Sequence, residues 1–456
     1  MENDSTEAVK WYHKAAKQNH PVAQNNLGVM YAKGEGVAKD AVEAVKWFRK
    51  AAEQGRAEAQ NNLGVMYANG NGVKQDTAEA VIWYRKAADQ NDTKAQYNLG
   101  QMYLKGQGVQ KDPAEAAKWF RTAADQNDAR AQFSLGWMYA NGKGMAQDYV
   151  EAVKWFRKAA DQDDAEAEFS LGWMYANGKG VTKDLLEAAQ WTRKAAEQDN
   201  AEAQLILGGA YYDARGVEQN YLEAAKWTRK AAEQNDAKAQ FAMGLIYNEG
   251  RGVEKDFIGA VEWYRKAAEQ NLPEAQFALA MMYRSGKGVA QDEVEAVRWT
   301  RKAADHNFPE AQCAIGEMFR HGKGVKQNDT QAAAWYRKAA EQGYADAQCA
   351  IGEMCRRGEG VRQEFSEALR WYHKAADQDH AAAQFDIGVM YAYGEGVPQD
   401  FVEAYAWFNL AAKTFAPVAK YRDEFESEMT THQVAEGQHR TKELRMALDA
   451  KLNEAK

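Results

Sequence analysis

The sequence predicts an all-α fold, a solenoid built from 36-residue helix-turn-helix repeats, on three observations. Trp11, Trp47, Trp83, Trp119, Trp155, Trp191, Trp227, Trp263, Trp299, Trp335, Trp371 and Trp407 follow one another at a spacing of 36 residues without a slip. An Ala-Ala pair follows each tryptophan, from Ala15-Ala16 to Ala411-Ala412, and an alanine stands three residues before each, from Ala8 to Ala404. The string FSLGWMYANGKG fills 133–144 and returns letter for letter at 169–180. A fixed period without insertions is one supersecondary unit stacked along an axis.

The elements follow in order from the unit 59–94. Its first part, AQNNLGVMYANG, carries Ala59, Leu63, Met66 and Tyr67 at helical spacing, which predicts a helix A. Gly70 stops it, because a helix end favours a residue that accepts positive φ, and the loop GNGV follows. Asp76 opens helix B, and Asp76 with Glu79 has the spacing of a capping box. The pair recurs as Asp40/Glu43, Asp148/Glu151, Asp184/Glu187, Asp292/Glu295 and Asp400/Glu403. Helix B presents Ala80, Trp83, Tyr84, Ala87 and Ala88 on one face and ends at Asn91, where other units have Gly55 or Gly343. Pro21, Pro273 and Pro309 open other A helices and Pro113 a B helix, at the position where a missing N–H costs nothing. A glycine recurs inside helix A, from Gly28 to Gly388, with Ala280 as the exception. Such a glycine costs roughly 1 kcal/mol of helix stability. It therefore predicts two helices crossing at backbone distance, with the large tryptophan interlocked against the small residues.

On this register residues 1–20 are an N-terminal half repeat, 21–416 are eleven repeats and 417–456 are C-terminal capping helices. In the tail Val418, Tyr421, Phe425 and Met429 share one helix face and suit the flank of the last unit. Thr430 and Gln433 fit a second capping box, opening a charged helix expected to be a solvated extension.

Composition bounds the function. With 45% hydrophobic residues and six prolines in 456 residues, the chain can pack. A net charge of −8, spread over 27% charged residues of both signs, argues against nucleic acid as the main partner. No run of apolar residues is long enough to span a membrane. The opening MENDSTEAVK is polar and acidic, unlike a secretion signal, so the expected location is cytoplasmic, or periplasmic if a signal has been removed. Three cysteines are too few for a disulfide framework and favour a reducing compartment.

The string A-Q-x-x-L-G-x-M-Y-x-x-G-x-G-V-x-x-D-x-x-x-A-x-x-W-[YF]-x-x-A-A resembles the Sel-one-like repeat family, a subclass of tetratricopeptide-like α/α solenoids. The resemblance covers about 21–416. Its departures are few: Ala280 for glycine, Cys355 for tyrosine, Ala214 for the first loop glycine, and Thr192, Thr228 and Thr300 for the aromatic after tryptophan. It implies a right-handed superhelix with A helices lining the concave face, and a protein adaptor or scaffold. Some bacterial members of the family are immunity proteins that neutralise a secreted effector. The family's disulfide-rich branch pairs cysteines within each unit, a pattern this chain lacks.

No chemistry-bearing motif emerges. The eight histidines include His13 and His373 at one repeat position and His20 and His380 at another, and none has a partner at metal-ligand spacing, so surface roles are expected. Cys313 and Cys349 are equivalent positions of adjacent units. Neighbouring helices lie about 8–10 Å apart, too far for an unstrained disulfide. Loop pairs such as Gly142/Gly144 lack the strand and the GK[ST] of a phosphate loop and are turn glycines. No cofactor, metal site or catalytic group is expected.

A partner would be read by residues that vary at fixed places. The Val29 position runs Val29, Val65, Gln101, Trp137, Trp173, Gly209, Leu245, Met281, Glu317, Glu353, Val389, and it is the most variable place in the motif. Trp137 and Trp173 thus form an aromatic pair on the inner surface, each with a phenylalanine one turn earlier, Phe133 and Phe169. The competing reading is that the tryptophans fill gaps between A helices. For the phenylalanines packing is favoured, since Phe241, Phe277 and Phe385 hold the same place. The Ala32 position becomes Arg284, Arg320 and Arg356, a ladder suited to carboxylates of a partner. Alternatively Glu317 and Glu353 neutralise Arg320 and Arg356 at i, i+3. The expected function is a non-catalytic, monomeric scaffold for a partner protein. The runner-up is an immunity protein for one toxin, and a glycan-related enzyme or binder carries least weight.

Overall fold

Every regular element among the described residues, 2–413 and 416–454 of this computed structural model, is a helix. From Pro21 on, the helices come as A and B pairs, such as Ala57–Asn69 with Thr77–Ala88. The chain divides into two compact units, residues 1–231 and 232–456, and the same pair recurs within each. Within a unit a helix such as Ala57–Asn69 packs most extensively on its partner Thr77–Ala88 and next on Ala41–Glu53 of the preceding pair.

Local chemistry sets the helix ends. Gly70 closes helix A at φ 72°, and the Asp76 carboxylate accepts the Glu79 N–H at 3.0 Å to open helix B. The expected capping box is only half formed. The Asp76 N–H donates to the Tyr67 carbonyl at 3.0 Å, which ties the loop to helix A and leaves Glu79 nothing to receive there. Glu79 instead accepts from the Trp83 indole at 2.9 Å, and Glu403 from Trp407 at 3.0 Å, so a buried indole N–H is satisfied. The Thr430–Gln433 box is complete: Thr430 N–H donates to Gln433 at 2.9 Å and Gln433 N–H to the Thr430 hydroxyl at 3.3 Å.

The glycine inside helix A makes room for the residue after the tryptophan, not for the tryptophan itself. A Cβ on Gly64 would lie 2.7 Å from the Tyr84 ring, and one on Gly136 2.7 Å from the Phe156 ring. Ala280 is tolerated where the corresponding residue, twenty positions on, is the smaller Thr300. A second feature escaped sequence reasoning. The Gln60 side chain donates to the Ala52 carbonyl at 3.1 Å, and the Gln90 amide donates to Gln60 at 2.8 Å. The same bonds join Gln96 and Gln126, Gln132 and Gln162, and Gln348 and Gln378, so a buried amide ladder links successive pairs.

Four of the histidines make structural contacts. His20 and His380 accept backbone N–H groups at helix starts, and the His13 and His373 rings stand edge-on to Trp47 and Trp407 at 5.7 and 5.5 Å. At the C-terminus Tyr421 and Phe425 lie 5.1 and 5.2 Å from the Phe408 ring. The helix Thr431–Glu454 is not the solvated extension expected: Gly437 and Leu448 are buried, a Gly437 Cβ would meet Tyr405 at 2.6 Å, Arg440 binds Glu403 at 2.7 Å and Arg445 binds Asp379 at 3.0 Å.

Candidate functional site

The helix pairs hold the Val29-type positions on one face of successive A helices. In Ala129–Asn141 and Ala165–Asn177 this face carries Ser134, Trp137, Ser170 and Trp173, with Arg130 and Glu166 one turn before the serines. Trp137 is 39% exposed and Trp173 46%, whereas the ladder tryptophans Trp155 and Trp191 are buried. Asn141 and Asn177 donate to the carbonyls of Trp137 and Trp173 at 2.8 Å and fasten the last helical turns. Phe133 is half-buried with its ring 5.7 Å from Phe156, so it supports the face from below. Phe169 is also half-buried.

Beside Trp173 a cleft of about 620 Å³ opens between the helices Ala165–Asn177, Leu185–Glu197 and Ala201–Asp213. Three local departures from the repeat create it. Thr192 stands where most units have a ring, and its hydroxyl bonds the Ala188 carbonyl at 2.7 Å. Gly209 supplies no side chain at the face position, and Ala210 replaces the usual methionine. The opening reaches the core: Ala188 is 6% exposed, while Ala44, Ala80, Ala116 and Ala152 at the same position are 0%. Trp173 and Ile206 form exposed walls. Lys183 and Arg215 are the two charged residues lining the cleft, and Arg215 pairs with Asp213 at 2.8 Å. Sequence reasoning registered Thr192 and Gly209 as departures and missed that Ala210 and Arg215 complete a cavity with them.

The arginines of the ladder are bound within the chain, but not in the i, i+3 pairing of the alternative reading. Arg284 binds Glu317 at 3.2 Å, Arg320 binds Glu353 at 2.7 Å and Glu359 at 2.8 Å, and Arg356 binds Glu395 at 3.1 Å. Each bond reaches the next pair, 33 or 39 residues on, because the side chains lean along the stack instead of along their own helix. Glu353 also takes Arg357 at 2.9 Å. These cations drive the Glu353 carboxyl below its usual range against burial, which acts in the opposite sense. Beneath lie the Cys349 thiol, 4.0 Å from Asp386, and the Tyr372 hydroxyl. Burial pushes Asp386 up to about 6 and Cys313 up to about 12, and raises Cys349 further. Thiols of that kind are protonated at neutral pH and poor nucleophiles.

Glu168 is the other polar departure. It is buried where the other ten units carry the ladder glutamine. It accepts from Gln198 at 2.8 Å but has no N–H to send to the Ala160 carbonyl. Among the described residues no three His, Cys, Asp or Glu side chains gather in a way that could hold a metal ion, and no helix is long and apolar enough to cross a membrane.

The Sel1 repeat profile matches residues 1–20, 21–55, 57–92, 93–128, 129–164, 165–200, 201–236, 237–272, 273–308, 309–344, 345–380 and 381–413. The chain is similar to the crystal structure of c5321, a protective antigen present in uropathogenic Escherichia coli strains that displays an SLR fold. The two are 37% identical over 98% of this chain and 97% of that one, with a TM-score of 0.85. It is also similar to a Sel1 repeat protein from Oxalobacter formigenes, at 37% identity over 66% of this chain and 87% of that one, with a TM-score of 0.55. No curated protein matches the chain.

Proposed function

This chain belongs to the Sel1 repeat family, and we propose that it works as a non-catalytic scaffold whose A-helix face over residues 129–213 binds a partner protein. The observation that carries the reading is the pair Trp137 and Trp173, exposed on successive A helices at a position that packing leaves open. Large exposed aromatics are the usual anchors of protein recognition. The arginines offer less to a partner, because their guanidiniums are already bound within the chain.

The test is affinity capture on wild-type protein and on the Trp137→Ala/Trp173→Ala double variant, with retained proteins identified by mass spectrometry. A direct partner is held by the wild type and released by the variant, with each tryptophan contributing about 2 kcal/mol. A single partner at nanomolar strength would assign the inhibitor role, and several at micromolar strength the adaptor role. Equal capture by both proteins removes the tryptophans from the interface.

A further inference from the structure

We propose that the cleft beside Trp173 is a docking site for a linear segment of a partner protein that carries two apolar side chains with a carboxylate next to them. The proposal rests on the scaffold reading above and adds the chemistry of what is bound. The size fits: about 620 Å³ lies within the roughly 300–1,000 Å³ of ligand pockets and exceeds what one side chain fills. The walls fit as well. Phe169, Trp173, Leu205 and Ile206 are apolar, and the Thr192 hydroxyl is engaged with its own helix, so no polar group on the floor needs a partner.

The charge selects among apolar ligands. The two charged residues lining the cleft are both cations, Lys183 and Arg215, and no carboxylate lines it. Lys183 is exposed and forms no ion pair among the described residues. The Arg215 guanidinium reaches over the bare backbone of Gly209, 3.4 Å from where a Cβ would lie, and its pair with Asp213 at 2.8 Å is exposed, so a carboxylate at the mouth shares or displaces that partner. The cleft also runs out onto the exposed side chains of Trp173 and Ile206, a surface that suits a chain continuing past the pocket more than a ligand enclosed in it.

The combination of departures occurs at this place alone in the sequence. At the equivalent positions 108 residues later Thr300 is again present, but Ala280, Glu317 and Met318 stand where Gly172, Gly209 and Ala210 stand here. The threonine there is thus combined with a larger residue at each of the three other positions.

Thr192→Phe tests this without endangering the fold, because it restores the ring that Gly136 accommodates as Phe156 in the preceding pair, and Gly172 is present to receive it. The probes are short fluorescein-labelled helical peptides with Leu or Phe at two positions one turn apart and Glu beside the second. Each has a Gln counterpart, and dodecanoate serves as a non-peptide probe. Fluorescence polarisation is expected to show micromolar binding of a Glu peptide, about fivefold weaker for its Gln form. Thr192→Phe should weaken binding at least about tenfold while melting no lower than wild type. Arg215→Gln should erase the difference between the Glu and Gln peptides. The proposal is overturned if no peptide binds below about 1 mM, if Thr192→Phe binds like wild type, or if dodecanoate binds and the peptides do not. Retained partner capture in Thr192→Phe, together with its loss in the tryptophan variant, keeps the scaffold reading and discards the cleft.

Discussion

The stretches 129–213 and 273–393 use the same helix pairs and treat the same face positions in opposite ways. The first leaves them open, with Trp137 and Trp173 exposed and a cleft beside them. The second ties them together, with Arg284, Arg320 and Arg356 each bound to a carboxylate of the next pair. The scaffold underneath hardly differs: Leu135, Leu171, Leu279, Ile315 and Ile351 are all fully buried. Packing thus dictates one set of positions and leaves another free, and the free set serves either recognition or internal cross-linking. A variable charged residue on such a face is therefore no evidence of a binding site until its partner within the chain is known.

The largest expected effect separates face from core inside the first stretch. Trp155→Ala removes a buried ladder side chain and should cost about 3–5 kcal/mol, read from the denaturant midpoint. Trp137→Ala, at an exposed position, should change stability by no more than about 0.5 kcal/mol. Equal losses would make Trp137 a packing residue and dissolve the contrast between the stretches.

The next effect belongs to the second stretch. Arg320 is largely buried between Glu353 and Glu359. Arg320→Gln leaves Glu353 and Glu359 only the more exposed Arg357 as a cation and should destabilise by about 1–2 kcal/mol. Arg284, with one partner and more exposure, should cost under about 1 kcal/mol when changed to glutamine. If Arg320→Gln leaves the midpoint unchanged but lowers the on-rate of a captured partner, the arginines face outward and the ladder is an interface after all.

The repeat register, the helix order and the loop ends were legible because each rests on a local rule repeated many times. Gly70 and Asp76 announce a helix stop and start wherever they recur. What the sequence hid depends on side chains meeting across the stack. The Asp76 N–H is captured by Tyr67, nine residues back, which no capping motif encodes. The glycine of helix A predicted a close approach, but the partner was read as the tryptophan when it is the residue after it, because the helix phase places Tyr84 and not Trp83 over Gly64. Arg320 was read against Glu317 on its own helix, while its carboxylates lie 33 and 39 residues on. The cleft was legible only in pieces: Thr192 and Gly209 each broke the pattern, but the empty space is a property of both with Ala210.

The smallest effect concerns the buried amide ladder, and it compares the stretches directly. In the second, Gln348 donates to the Ala340 carbonyl at 3.1 Å and accepts from Gln378 at 2.9 Å. In the first, Glu168 occupies that place and presents oxygen to the Ala160 carbonyl. Burial is the largest cause that raises the Glu168 pKa, and Asp163 and Asp164 add to it, while the Gln198 amide and Lys194 oppose it. Folding thus shifts the Glu168 carboxyl towards its protonated form, which can donate to a carbonyl as an amide would. A carboxyl raised above its unfolded value, about 4.3, contributes its full stability below that pH and loses it as pH rises through the folded value. Glu168→Gln should therefore stabilise the protein by about 1 kcal/mol at pH 7, and the gain should shrink towards zero below about pH 4. Gln348→Glu should do the reverse in the second stretch, destabilising at pH 7 and recovering in acid. Thermal melts of both variants across that range decide it. A pH-independent gain for Glu168→Gln, or a loss, would show that the carboxylate is accommodated in its charged form and that the ladder tolerates either side chain.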